Sequence, residues 1–133
     1  MMILTSKNNP LIKETAALKD KKGRKPHNLF LVEGKKMAVE CLKSGMEMER
    51  IFVAESFEEE LPFDETIIVR VSDDVFAYLS DEKTPQGVLA RVRIPSRSLC
   101  QPCGSCLLLD GVSDPGNMGA IIRSANAAGY SEI

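Results

Sequence analysis

The stretch LLLDGVSDPGNMGAIIRSANAAGY, Leu107 to Tyr130, decides how the C-terminal part of the chain is read. From Cys106 to Val112 the run CLLLDGV is continuously apolar up to its Asp-Gly step, the pattern of a strand buried on both faces. Asp114-Pro115-Gly116-Asn117 has the order of a type II turn, with Pro115 second and Gly116 third, where φ must be positive. Asn117 then stands where the following helix needs a cap. The alternative caps with Asp114 and places Pro115 at the first helical position. It leaves Gly116 and Gly119 inside the first turns at about 1 kcal/mol each, so the turn is the preferred reading. Met118, Ile121, Ile122, Ala125 and Ala128 recur at helical spacing as a buried stripe. Arg123 leaves that stripe toward Gly119, Asn126 and Ala127, whose small size gives its guanidinium space.

A strand, a glycine-containing turn and a helix N-terminus together expose backbone N–H groups and attract anions. The spacing is not G-x-G-x-x-G and no P-loop lysine follows, so dinucleotide and triphosphate readings are weak. An ordinary strand-to-helix turn with a surface arginine explains the same residues.

Working outward, 133 residues suffice for one ordinary core and fall short of two full domains. No apolar run approaches the roughly 20 residues that span a bilayer. The N-terminus lacks an apolar signal core and a small-residue cleavage site, so a cytoplasmic protein without membrane association is expected. The net charge of −2 hides a sign split: residues 1–43 carry +6 and residues 44–133 carry −8. A basic N-terminal lobe is worth pursuing as a nucleic-acid contact.

Before the linker, strands alternate with helices, which implies a small α/β domain over residues 1–95. Pro10 to Leu18 is amphipathic, with Leu11, Ile12, Thr15 and Leu18 on one side. Gly23 and Pro26 break KDKKGRKPHN into a solvated loop. LFLVEG is a strand, and Met37, Ala38, Cys41 and Leu42 mark the helix that Gly45 ends. MERIFVAE is a strand, the acidic ESFEEELPFDE is a surface loop or short helix, and TIIVRV is a strand. Ser72 caps a helix that buries Val75, Phe76 and Leu79. VLARVRI is a strand with one buried and one partly solvated face. Residues 96–106 form a linker, and 107–133 supply one strand, one turn, one helix and the opening of another strand.

Lys19, Lys21, Lys22, Arg24 and Lys25 crowd one turn, the composition of a phosphate-contacting loop; a loop that only needs to stay soluble explains them too. No aromatic residue interleaves them, which argues against stacking on single-stranded bases. Arg91 and Arg93 share a strand face and extend the same patch, unless they simply solvate the sheet. His27 carries no catalytic or metal inference. Cys100, Cys103 and Cys106 have C-x2-C-x2-C spacing, but Cys41 belongs to a helix stripe and no fourth ligand is evident. Incidental linker thiols, with no metal, are preferred.

The stretch quoted above resembles the first signature motif of the SpoU (TrmH-like) branch of the SPOUT RNA methyltransferases, at Asp114, Pro115, Asn117, Gly119 and Arg123. NNPLIKE, FLVEGKKMAVECL and VSDDVFAYLSDEKTPQGVLA resemble that family's N-terminal substrate-binding domain, an α/β sandwich similar to small ribosomal RNA-binding proteins. The resemblance implies transfer of a methyl group from S-adenosylmethionine to a ribose 2′-hydroxyl by a knotted homodimer. It makes Asn117 and Arg123 the catalytic candidates, and Lys21, Lys22, Arg24 and Lys25 the RNA-binding ones. RNA is the implied partner, ribosomal RNA before transfer RNA. An arginine stays protonated in proteins and is a poor general base; Arg123 is expected to orient phosphate and hydroxyl and to stabilise developing alkoxide charge. The motifs that hold the cofactor do not occur by Ile133. The chain is therefore expected to be a fragment, holding the incomplete start of the knot and binding no S-adenosylmethionine by itself. The rivals are a non-catalytic RNA-binding module and, more remotely, a thiol-ligated metal protein.

Overall fold

In the computed structural model, which describes residues 2–98 and 101–133, five strands form one mixed sheet. They are β1 (Ile3–Leu4), β2 (Leu29–Glu33), β3 (Met48–Ala54), β4 (Ile68–Val71) and β5 (Val88–Arg93), in the order β1-β4-β3-β5-β2. β1, β4 and β3 pair in parallel, and β5 runs antiparallel between β3 and β2. The helices are α1 (Pro10–Ala17), α2 (Lys21–His27), α3 (Lys35–Lys43), α4 (Asp73–Leu79) and α5 (Pro115–Ala127). The chain divides into two units, Met1–Ser96 and Arg97–Ile133. The first holds the sheet and α1 to α4.

The period-2 pattern of β3 and β5 sorts their side chains onto two covered faces. Phe52, Ala54 and Leu89 pack with Ile12 of α1 and with Val75, Phe76 and Leu79 of α4. Ile51, Val53, Val88, Ala90 and Val92 pack with Ala38 of α3 and with Phe63. Helices therefore lie on both sides of the sheet, as expected of a small α/β sandwich. Ser72 caps α4 through its hydroxyl, which accepts from the Val75 amide at 3.4 Å. The acidic segment after β3 is a loop whose Phe63 is nonetheless buried. At its end the Thr66 hydroxyl and amide both donate to Asp64 Oδ1 and hold that carboxyl below its ordinary range.

Two expectations are corrected within this unit, a third is met only in part, and one strand is added. β1 is a short edge strand that the sequence pattern did not reveal. KDKKGRKPHN contains helix α2 rather than a solvated loop. Pro26 forfeits only the bond to the exposed Lys22 carbonyl, and Asn28 closes the helix at φ 53°. On α3, Ala38 faces the sheet flanked by Val39, while Met37 stays 54% exposed and Leu42 is exposed as well. On β5 the second face is solvated only at its end, where the Arg93 side chain is 41% exposed. Arg91 on that face is only 2% exposed.

Burial of Arg91 is made tolerable by its partners. Its Nη2 donates to Glu14 Oε1, Nη1 reaches Thr15 Oγ1 at 3.2 Å, and Nε lies 2.8 Å from Glu49 Oε2. Glu14 and Thr15 belong to α1 and Glu49 to β3, so one guanidinium joins a helix to two strands. Arg93 pairs with Glu47 at 3.0 Å. Neither arginine extends the basic patch, because both are neutralised by carboxylates of their own unit.

Replacing Arg91 with alanine leaves Glu14 and Glu49 without their cation and is expected to cost about 3–5 kcal/mol of stability. Urea unfolding of the two proteins measures this; a change below about 1 kcal/mol would show that the cluster does not hold α1 to the sheet.

Candidate functional site

The basic residues around α2 separate into two kinds. Lys19 spends its ammonium group on the C-terminal end of α4, donating to the Tyr78 carbonyl at 3.0 Å and the Ser80 carbonyl at 3.1 Å. It also pairs with Asp81 at 3.1 Å. Arg24 Nη1 donates to the carbonyls of Leu18 at 3.0 Å and Lys19 at 2.6 Å, which lie just past α1 and are not used by its own turns. Lys21, Lys22 and Lys25 are exposed and have no ion-pair partner among the described residues. The structure thus keeps three of the four expected RNA-binding residues open and commits the fourth to the α1–α2 corner.

Gly23 explains how that corner closes. A Cβ there would overlap the Ala17 carbonyl, so the glycine read as a helix breaker permits a close approach of two helices instead. His27 lies at the end of α2 with its Nδ1 3.7 Å from Glu14 Oε1, the oxygen that Arg91 also holds.

In the second unit, α5 begins at Pro115. Asp114 is its cap: Oδ2 accepts from the Asn117 amide at 2.8 Å, and the Asp114 carbonyl accepts from Met118 at 3.0 Å. This corrects the preferred type II turn. Gly116 has no positive φ, whereas Gly111 does, at 69°. An aspartate cap satisfies an otherwise orphaned amide, and Pro115 at the first helical position loses nothing because its missing N–H has no helical acceptor there. Those gains outweigh the propensity cost of two glycines.

Asn117 is exposed and borders an open concavity with Gly111, Val112, Ser113, Asp114, Ala120 and Ile121. Arg123 is exposed as well, but it does not border that concavity. Six residues further along a helix place it about 9 Å along the axis and about 120° around it. The two catalytic candidates thus start from different sides of α5.

The expected strand over CLLLDGV is also corrected. Cys106 forms a single parallel bridge with Glu132, Leu107 donates to the Glu132 carbonyl at 3.1 Å, and Leu108 is 88% exposed. A strand needs a ladder on its edges, and within this unit one bridge is all the described chain offers. The expected strand opening at Tyr130 reduces to the same bridge. Of the buried stripe on α5 only Ala125 is buried, and Ile122 is 47% exposed. Cys103 is exposed, Cys106 is half-buried, and both are free thiols; Cys100 lies outside the described residues.

Comparison with known proteins places the first unit. The family described as MRM3-like substrate binding domain matches residues 9–90, from the cap of α1 into β5. The chain belongs to this family. The MRM3-like chain is 36% identical, over its whole length, to 54% of the 23S rRNA (guanosine(2553)-2'-O)-methyltransferase RlmP of Bacillus subtilis. It is 29% identical over 92% of its length to 32% of the mitochondrial rRNA methyltransferase 3 of Xenopus laevis. A crystal structure described as an RNA 2'-O ribose methyltransferase shares 36% identity with it, covering 97% of this chain and 53% of that one, at a TM-score of 0.75. An rRNA methyltransferase from Sinorhizobium meliloti superposes at 0.78 with 28% identity, over 98% of this chain and 52% of that one. The MRM3-like chain thus spans about half the length of these bacterial relatives. No helix among the described residues is long and apolar enough to cross a membrane.

Asp114→Ala removes the cap of α5 and is expected to destabilise that helix by about 1 kcal/mol. Faster amide exchange at Asn117 and Met118, with exchange in the sheet unchanged, is the expected result; unaltered protection of those two amides would return the cap to a type II turn.

Proposed function

We propose that this chain is the substrate-binding domain, joined to the first strand–helix unit of the knotted catalytic domain, of an RNA 2′-O-ribose methyltransferase. Ribosomal RNA is the substrate and S-adenosylmethionine the methyl donor. One observation carries the reading: the 36% identity with the ribosomal RNA methyltransferase of Bacillus subtilis extends over the whole chain, both units included. The donor is the group bound in a further structure of the Sinorhizobium enzyme. The concavity beside Asn117 is too open to enclose it, and Asp114 is spent on its cap.

What this chain's own residues do follows from their chemistry. Lys21, Lys22 and Lys25 attract and hold the RNA backbone, releasing counterions as they neutralise phosphates. Arg123 presents a planar fork of donors on an exposed helix face, suited to fixing a phosphate and the neighbouring hydroxyl as charge develops on the oxygen. Asn117 supplies a polar contact at the mouth of the same helix. The whole enzyme works as a homodimer in the cytoplasm, and ribosomal RNA is preferred over transfer RNA.

The test uses the protein encoded by the whole reading frame, with labelled methyl transfer to ribosomal RNA fragments and to transfer RNA. Transfer to ribosomal RNA that disappears when the target ribose is 2′-deoxy is the expected result. Arg123→Ala should lower turnover by about 100-fold or more while RNA affinity stays within about twofold. Near-normal turnover would remove Arg123 from the site. RNA binding with neither transfer nor cofactor binding would leave a non-catalytic RNA-binding module.

A further inference from the structure

The α1–α2 corner is built more rigidly than a solvated basic loop needs to be. A helix of seven residues is too short to persist alone, yet α2 is tied at both ends. At its start the Asp20 carbonyl accepts from the amides of Gly23 at 3.0 Å and Arg24 at 3.1 Å. Gly23 fits against the Ala17 carbonyl with no room for a side chain, and Arg24 bonds both the Leu18 and Lys19 carbonyls. At its end Asn28, in the left-handed region, exchanges bonds with Ile94. Its amide side chain donates to the Ile94 carbonyl at 3.2 Å, and the Ile94 N–H donates to the Asn28 carbonyl at 2.9 Å.

Rigidity fixes where the lysines start from. Lys21 and Lys25 lie one turn apart, about 6 Å along the axis, with Lys22 about 100° round from Lys21. A fixed, regular set of cations suits a regular rail of phosphates. Double-helical RNA presents such a rail and is recognised by shape and backbone contacts. Single strands are flexible and are gripped by stacking on aromatic rings. Residues 19–28 contain no aromatic side chain except His27, which lies beside Glu14.

We propose that the α1–α2 corner is a preset cradle for the backbone of double-helical RNA. In it Lys21, Lys22 and Lys25 make the phosphate contacts, and Arg24 is a positioning residue that holds their helix rather than a phosphate ligand. This rests on the RNA reading above and deepens it. Were Arg24 to turn outward to a phosphate, it would strip two carbonyls of their donor and loosen the helix that carries the lysines.

The 133-residue chain is titrated, at several potassium chloride concentrations, with an RNA hairpin and with an unstructured RNA of equal length. The hairpin is expected to bind about tenfold or more tightly, since a preorganised surface is matched to it. Lys21→Ala, Lys22→Ala and Lys25→Ala should each flatten the dependence of log affinity on log salt by about one. Arg24→Gln should abolish the preference for the hairpin while leaving affinity and salt slope on the unstructured RNA unchanged. Gly23→Ala, which displaces α2 without removing a charge, should do the same. Thermal melting confirms that each variant is folded at the assay temperature. A slope on unstructured RNA lowered by about one in a folded Arg24→Gln protein would make Arg24 a phosphate ligand and overturn its positioning role. Equal affinity of the unaltered chain for both RNAs would overturn the double-helix assignment alone. No binding to either would sink the RNA reading itself.

Discussion

The guanidinium of Arg91 is the interaction on which the first unit depends. It is almost wholly buried, and an unpaired charge there would not be tolerated. Two carboxylates and a hydroxyl, from α1 and β3, surround it. A buried ion pair seldom adds much stability over an apolar core, but losing one partner is severe. Its consequence is therefore specificity of placement: α1 has one seat on the sheet, and α2 takes its position from α1. The lysines proposed to meet RNA are thus located by an arginine about seventy residues further along the chain.

Charge is separated along the strands. β2 and β3 both run antiparallel to β5, so they point the same way. α2 leads into the start of β2, whereas Glu55, Glu58, Glu59, Glu60, Asp64 and Glu65 follow the end of β3. The exposed lysines of α2 and the acidic loop after β3 consequently lie at opposite ends of the sheet, although Lys35 pairs with Glu59 at the acidic end. A polyanion approaching such a unit is drawn to one end and repelled from the other, which orients it before contact. An overall charge near zero conceals this completely.

The second unit shows the converse. Its apolar residues follow the pattern of a buried strand and a buried helix stripe, yet Leu108, Ile122 and Tyr130 are exposed within the unit. Pattern alone does not bury a segment; neighbouring strands must supply the hydrogen bonds and the covering surface. The Asp114 cap forms regardless, because it needs only residues within a single turn.

The sequence by itself determined what depends on near neighbours. The strands LFLVE, MERIFVA and VLARVR, the Ser72 cap, and Val75, Phe76 and Leu79 on the inner face of α4 all follow from periodicity and capping chemistry. The resemblance of its motifs to RNA methyltransferases was equally legible, and the family match agrees with it. Tertiary structure alone decided the rest. It buried Arg91, which reads as a surface residue because its partners are remote in sequence. It turned Gly23 from a breaker into a contact and set the Arg24 guanidinium on the carbonyls of Leu18 and Lys19. Each of these is settled by a group far away in sequence or by the direction a side chain takes in space, and residue spacing along one chain does not encode either.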